Sequence, residues 1–463
     1  YVNSDSVPVN VSRSKWKRHA EQAFKWILTM EGSTPVFMYC EVQVLLRQYR
    51  DARRKMQPLH QVVSATTLQS LHTHYARYRK MQDSKAKYHD DGKNAFTIAC
   101  RDGLVEELPT ILASPNTPPV DGVRGLSIAC EYVHIKCVEL LLPLVPVAGR
   151  SRALLHAAYG NIVRTQFKLD KDRSKIIRLL VASKANVNTQ RELDGATPAY
   201  LAASKGFTEP LRTLISAKAN VNIGRTDNGE TPLWGAAFDG HDDTIQLLIE
   251  AKAEVDRSTT DKGVTPLYIA AQNDHAHAAE VLIRGGADVN KSSSLSGSTP
   301  LFVAAQQGNV GVVRRLLTLR ADVNLPRMKG GPTPVFMAAR NGHVEVVRLL
   351  VQERADVNHT CSANGGASPL FAAAHQGHME VVKLLIASGA DVDRASTVDG
   401  ATATFVAAEK GFVGVVRQLM DGGADIHKGR SVDGATPSFI ASHFGHAAVV
   451  ELLNADAQRH QRR

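Results

Sequence analysis

Between residues 196 and 437, apolar and polar positions follow one order again and again. A Thr or Ser is followed by Pro, then by a short apolar run holding a small pair, as in Ala202-Ala203, Ala236-Ala237, Ala270-Ala271 and Ala304-Ala305. Gly closes that run at Gly206, Gly240, Gly308, Gly342, Gly377, Gly411 and Gly445, with Asp274 in its place once. A second apolar run follows, with Val344, Val347 and Leu350 at helical spacing. This order predicts two helices per unit. Thr or Ser is an N-cap whose hydroxyl satisfies a free helix N–H. Pro at the next position is preset for helical φ and has no N–H to lose. Gly ends the first helix in a left-handed conformation that Asp also tolerates. The small pair lets neighbouring helices approach closely. Asp-Gly or Asn-Gly at 194–195, 228–229, 399–400 and 433–434 predicts a tight turn between units.

The capping residues Thr197, Thr231, Thr265, Thr299, Thr333, Ser368, Thr402 and Thr436 stand 34 residues apart, with one step of 35. A Gly precedes each by two positions, and Pro follows in all but one, where Ala403 stands instead. Three upstream stretches, 94–103, 124–133 and 152–161, keep the small pair (Ala99-Cys100, Ala129-Cys130, Ala157-Ala158) but lose Thr-Pro. The step from Arg152 to Thr197 is 45, or 11 above 34, and the excess is expected as an exposed loop at 165–173, where Lys168, Asp170, Lys171, Asp172 and Arg173 cluster.

The stretches at 231–237 (TPLWGAA), 265–271 (TPLYIAA) and 299–305 (TPLFVAA) resemble the ankyrin-repeat signature Thr-Pro-Leu-x-x-Ala-Ala. The resemblance covers residues 94–456. It implies an all-α ankyrin-repeat solenoid of about eleven helix-turn-helix units, the last truncated near Ala455. The degenerate units would fill 94–194 and the regular ones 195–456. Residues 1–93 would be a basic, mainly helical N-terminal segment, and 457–463 a basic C-terminal tail.

The resemblance also implies a protein-binding scaffold that works through inter-unit turns and a concave helix face. The expected partner-binding residues are those after each small pair: Lys205, Asp239, Gln272, Asn273, Gln306, Gln307, Arg340, Asn341, His375, Gln376, Glu409 and Lys410, together with Trp234 and Phe238. Phe238 stands out as a large apolar side chain at a polar position, one turn from Trp234.

Where the family usually has His, this chain has Tyr200, Trp234, Tyr268, Phe302, Phe336, Phe371, Phe405 and Phe439. Packing between units is favoured for this ladder over a row of exposed anchors. The unit-ending Asn188, Asn222, Asn290, Asn324 and Asn358, with Asp256 and Asp393 in two units, match a position that asparaginyl hydroxylation modifies in some ankyrin proteins. A side chain bonded to the local backbone accounts for them without modification.

Charge is uneven. Residues 1–93 hold 16 Lys/Arg against 8 Asp/Glu, and 94–463 hold 39 against 37. The basic segment, with Arg47, Arg50, Arg53, Arg54, Lys55, Arg77, Arg79 and Lys80, allows an acidic protein or a nucleic acid as partner there. No run approaches the ~18–20 apolar residues of a membrane span. Five scattered cysteines without a Cys-x-x-Cys pair fit a reducing, cytoplasmic setting. The start at Tyr1 suggests a fragment or processed chain.

Catalytic chemistry finds no foothold. There is no His-Glu-x-x-His, phosphate loop or Gly-x-Ser-x-Gly. His241, His343, His378 and His446 follow the repeat rather than a metal, and His275 and His277 read as surface residues. Cys361 is expected exposed in a turn. No cofactor, metal or catalytic residue is expected. Three functions compete: a non-catalytic scaffold, an RNA-binding accessory protein using the basic segment, and the regulatory part of an enzyme. They rank in that order.

Overall fold

A computed structural model describes residues 95–113, 122–160 and 167–461. The expectations for residues 1–93 lie outside this range. Among the described residues the regular structure is helical, in eleven consecutive pairs, with one isolated antiparallel bridge between Cys361 and Ala367. Three pairs come first: Ala95–Asp102 with Leu108–Ala113, Gly122–Glu131 with Ile135–Leu141, and Val147–Tyr159 with Phe167–Ala182. Eight follow, from Pro198–Ser204 with Thr208–Ser216 to Pro437–His443 with Ala447–Gln461. The described residues thus form an all-helical solenoid of tandem pairs.

The capping prediction holds in detail. Thr197, Thr231, Thr265, Thr299, Ser368, Thr402 and Thr436 each accept a hydrogen bond from the backbone N–H three residues on. Thr333 has the same extended backbone, yet its hydroxyl is buried without a partner. Gly240 and Gly308 end their helices at φ 71° and 80°. Space as well as φ demands glycine at Gly308, where a Cβ would lie 2.6 Å from His343 Nδ1. Asp274, at φ 64°, substitutes as expected.

The small pairs are fully buried, and so is most of the aromatic ladder: Phe302, Phe336 and Phe405 are at most 2% exposed. Phe439, at the last rung described, is 61% exposed. The ladder is packing.

Between units the chain forms a finger closed by two backbone bonds, such as Ser293 N–H to Ser298 O (2.9 Å) with Gly297 N–H to Ser293 O (2.8 Å). Neighbouring fingers are tied together, for example by Thr397 N–H to Gly365 O (2.8 Å) and Ser431 N–H to Asp399 O (3.0 Å). The extra residue of the 35-residue step sits in the finger 361–367, as a short 3-10 turn at Ser362–Asn364. On the other side, each unit-ending Asn or Asp reaches forward into the next unit. Asn222 Oδ1 accepts from Glu254 N–H (2.8 Å), Asn290 Oδ1 from Asp322 N–H (2.9 Å), and Asn324 Oδ1 from Asp356 N–H (2.8 Å). The expected bond to the local backbone is therefore corrected to a bond across the unit boundary.

Four further expectations are corrected. The loop at 165–173 is helical from Phe167, in a second helix of 16 residues where regular units have 9. Arg173 is 3% exposed: its Nη1 donates to Ala157 O (2.8 Å), and its guanidinium lies against Gly160 on one side and 4.6 Å from the Phe207 ring centroid on the other. A long stem and a flat guanidinium let a nominally polar residue fill a core position. Cys361 is fully buried beside Phe302, Phe336 and Met337, since the bridge to Ala367 turns its side chain inward. His275 is half-buried rather than a free surface residue: its Nε2–H donates to Phe238 O (3.0 Å) in the preceding unit, while His277 is exposed. The residues expected as a tail from 457 continue the last unit's second helix to Gln461.

Candidate functional site

The residues expected to meet a partner stand at the ends of successive first helices, so the repeat sets them side by side at one site per unit. Phe238 is 43% exposed and stacks on Trp234, with ring centroids 5.4 Å apart at 24°. Trp234 itself is buried, and its indole N–H has no acceptor. Asp239, Gln272, Gln307, Gln376 and Lys410 are exposed; Lys205, Gln306, Arg340, His375 and Glu409 are half-buried. The Lys205 ammonium sits 5.1 Å from the Tyr159 ring centroid.

Two of the expected contact residues are occupied by the fold. Asn273 Nδ2 donates to Phe238 O (2.9 Å) and Asn341 Nδ2 to Gln306 O (2.7 Å). Histidines do the same from two positions on: His343 Nε2–H to Gln306 O (3.0 Å), His378 to Arg340 O (3.1 Å) and His446 to Glu409 O (2.9 Å). A free carbonyl at a helix end needs such a donor, and the next unit supplies it. The side chains of Gln272, Gln306, Gln307 and Arg340 have no hydrogen-bond or ion-pair partner among the described residues, so their donors face outward uncommitted.

Sequence reasoning missed Tyr132 and Tyr159, 39% and 40% exposed at the same helix-end place in the upstream units. The signal was present in the small-pair register, where Tyr159 follows Ala157-Ala158 as Phe238 follows Ala236-Ala237. The helix-end row thus holds Arg101 and Asp102 in the first unit, an aromatic in the second and third, and amides further on.

The electrostatics describe clamps rather than reactive groups. Arg225 bonds Asp227 (2.7 Å), Glu230 (2.9 Å) and Tyr200 Oη (3.2 Å), and lies 3.3 Å from Asp194. Burial raises the Glu230 carboxyl above its usual range against the pull of Tyr200 and Arg225, and burial with Glu230 nearby raises Tyr200. These groups hold one another and fix a finger, with Arg225 Nε left buried without an acceptor. Burial and then Lys410 lower His375, whose neutral Nδ1 accepts from Gln376 Nε2 (3.2 Å). Burial also pushes the Cys100 thiol up to about 12 and raises Cys130, Cys137 and Cys361, which leaves them protonated and poor nucleophiles. Among the described residues, no group of three or more His, Cys, Asp or Glu is placed to hold a metal, and no helix is long and apolar enough to cross a membrane.

The family model for ankyrin repeats matches three stretches, 168–259, 253–327 and 326–396. Among solved structures, the chain is similar to the human ASB11 ankyrin repeat domain at 29% identity, covering 50% of this chain and 99% of that one with a TM-score of 0.44. No curated protein matches it. The period, the capped helix pairs, the joints between units and the family match agree: residues 168–396 are ankyrin repeats, and helix pairs continue on either side of them.

Proposed function

We propose that this chain is a non-catalytic scaffold that binds a protein partner across the ends of its first helices, with Phe238 as the apolar anchor and Arg340 as a polar one. Ankyrin repeats generally mediate protein–protein interaction. The observation that carries the finer reading is Phe238: a phenyl ring left 43% exposed, backed by a buried indole and followed along the row by Gln272, Gln306 and Arg340 with uncommitted donors. An aromatic anchor beside unsatisfied donors is the usual make-up of the energetic centre of an interface. The row is near neutral, with Lys205, Arg340 and Lys410 against Asp239 and Glu409, which suits a mixed protein surface better than a polyanion.

The test is a pull-down at low and high salt with the unmodified chain and with Phe238→Ala/Arg340→Ala. The expected result is a protein retained at high salt and lost with the double variant, since a truncated anchor costs ~2 kcal/mol or more, about 30-fold in affinity. Thermal unfolding should be nearly unchanged. Unaltered capture, or a loss of stability as large as the loss of binding, would show that these side chains serve packing. Capture of RNA that disappears steeply with salt would favour the nucleic-acid reading instead.

A further inference from the structure

The fingers differ at their tips. In the two fingers that begin at Arg225 and Thr259 the third residue is acidic, Asp227 and Asp261. In the last five fingers the tips carry Leu295, Met328, Ala363, Val398 and Val432. All five are exposed, four of them to an unusual degree for large apolar side chains: Leu295 66%, Met328 54%, Val398 73% and Val432 62%. They form one ridge, because bonds tie each finger to the one before. Arg327 Nε donates to Ser296 O (3.0 Å), Ser362 Oγ to Gly330 O (2.8 Å), Thr397 N–H to Gly365 O (2.8 Å) and Ser431 N–H to Asp399 O (3.0 Å). Scattered apolar side chains on a surface are ordinary, but five at the tips of adjoining, bonded fingers, four at the third finger position and Met328 at the second, are a patch.

We propose that this ridge is a self-complementary surface on which a second copy of the chain docks in antiparallel register, with Ala363 facing Ala363. The ridge has the symmetry that a two-fold contact requires. Its smallest residue is central, and the larger ones flank it at matching distances along the chain. Turned end for end, Met328 meets Val398 of the second copy and Leu295 meets Val432.

Charge selects the same register. Lys329 follows Met328 at the tip and has no ion-pair partner among the described residues. Asp399 follows Val398, and its carboxylate accepts only from its own turn, Ala401 N–H to Oδ1 (3.1 Å). Antiparallel docking sets Lys329 of each copy beside Asp399 of the other, twice by symmetry. Parallel docking would set Lys329 against Lys329, and like charges in contact are costly. Five fingers of six or seven residues also give each copy a surface of the roughly 20–30 residues that a specific interface occupies.

The experiment uses the full chain and sedimentation equilibrium, with circular dichroism to confirm that each variant is folded. The unmodified chain is expected to be dimeric at about 100 μM. Lys329→Asp and Asp399→Lys, each alone, place two like-charged pairs in their own dimer and should weaken it at least about tenfold. Mixed in equal amounts, the two variants regain two opposite-charge pairs per heterodimer and should assemble like the unmodified chain. Val398→Asp should yield a monomer that neither variant rescues. A monomeric unmodified chain at that concentration overturns the proposal, as would be seen if a different protein occupies the ridge. So does a dimer indifferent to Val398→Asp, or a mixture that stays monomeric while both variants remain folded.

Discussion

The three upstream units and the eight regular ones bury their cores equally well and are joined very differently. Leu126, Leu154, Ile176 and Leu180 are as fully buried as Leu233, Leu267 and Val346. The regular units, however, repeat one set of joints: a capping hydroxyl, a unit-ending Asn or Asp that reaches forward, and a His or Asn that reaches back. Upstream, each joint is individual. The helix Val147–Tyr159 starts at Pro146 without a side-chain cap. Ser151 Oγ accepts from Asn186 N–H (2.9 Å), Arg150 Nη1 donates to Ser183 O (2.9 Å), and Arg173 fills the space between Gly160 and Phe207. Of the recurrent joints two appear there among the described residues: His134 Nε2–H donates to Arg101 O (2.9 Å), and Asn188 Oδ1 accepts from Asn220 N–H (2.8 Å). Burial is enough to make a helix pair stack. Regular joints add agreement between local and global preference, and that agreement separates the two regions.

Substitutions can break or sharpen this contrast. The largest effect tests its first half: Leu154→Ala upstream and Leu267→Ala in the centre should each cost about 2–5 kcal/mol in urea unfolding. If the upstream cost were less than half the central one, equal packing would be wrong. Next, Arg173→Ala should cost about 2–3 kcal/mol, since Ala157 O loses its donor and the Phe207 ring its neighbour. The loss should appear as faster amide exchange in 95–182 with the centre unchanged; a loss spread over the whole array would contradict individual joints.

Smaller again is the cap. Thr265→Val should cost about 1 kcal/mol, whereas Thr333→Val, which removes a hydroxyl that caps nothing, should be neutral or slightly stabilising. Equal costs would show that the hydroxyl bonds do not matter. The smallest effect concerns the ends of the second helices, where Lys184, Lys218, Lys252, Arg320 and Arg354 hold left-handed backbone that Gly286, Gly389 and Gly423 hold elsewhere. Lys252→Gly should raise stability by about 0.5 kcal/mol, the relief of a strained φ less the flexibility gained by the unfolded chain. A lower melting temperature would mean that the cation at the helix end outweighs the strain.

The regular region was legible because cap, proline, small pair and glycine each have a local cause, visible within one unit. The joints were not, because they link residues more than 30 positions apart. Asn273 looked like a contact residue, and nothing near it in sequence reveals that Phe238 O takes its amide. Arg173 looked like part of a charged loop because its core role depends on Gly160 and Phe207. Cys361 looked exposed because turns usually are, and only the bridge to Ala367 buries it. The candidate site was half legible: Phe238 and the amide row followed from position within the unit, while Tyr132 and Tyr159 were hidden in units lacking the template.

The forward bonds of the unit-ending Asn and Asp also bear on how the chain carries tension. Each of those described spans one unit boundary, with donor and acceptor 32 or 33 residues apart. A load applied at the two ends of the array therefore passes through these joints in series, like links of a chain. The weakest link yields first, and each release frees one unit's length without slackening the others. The last described unit, whose Phe439 is left largely exposed, is where such stepwise extension would begin.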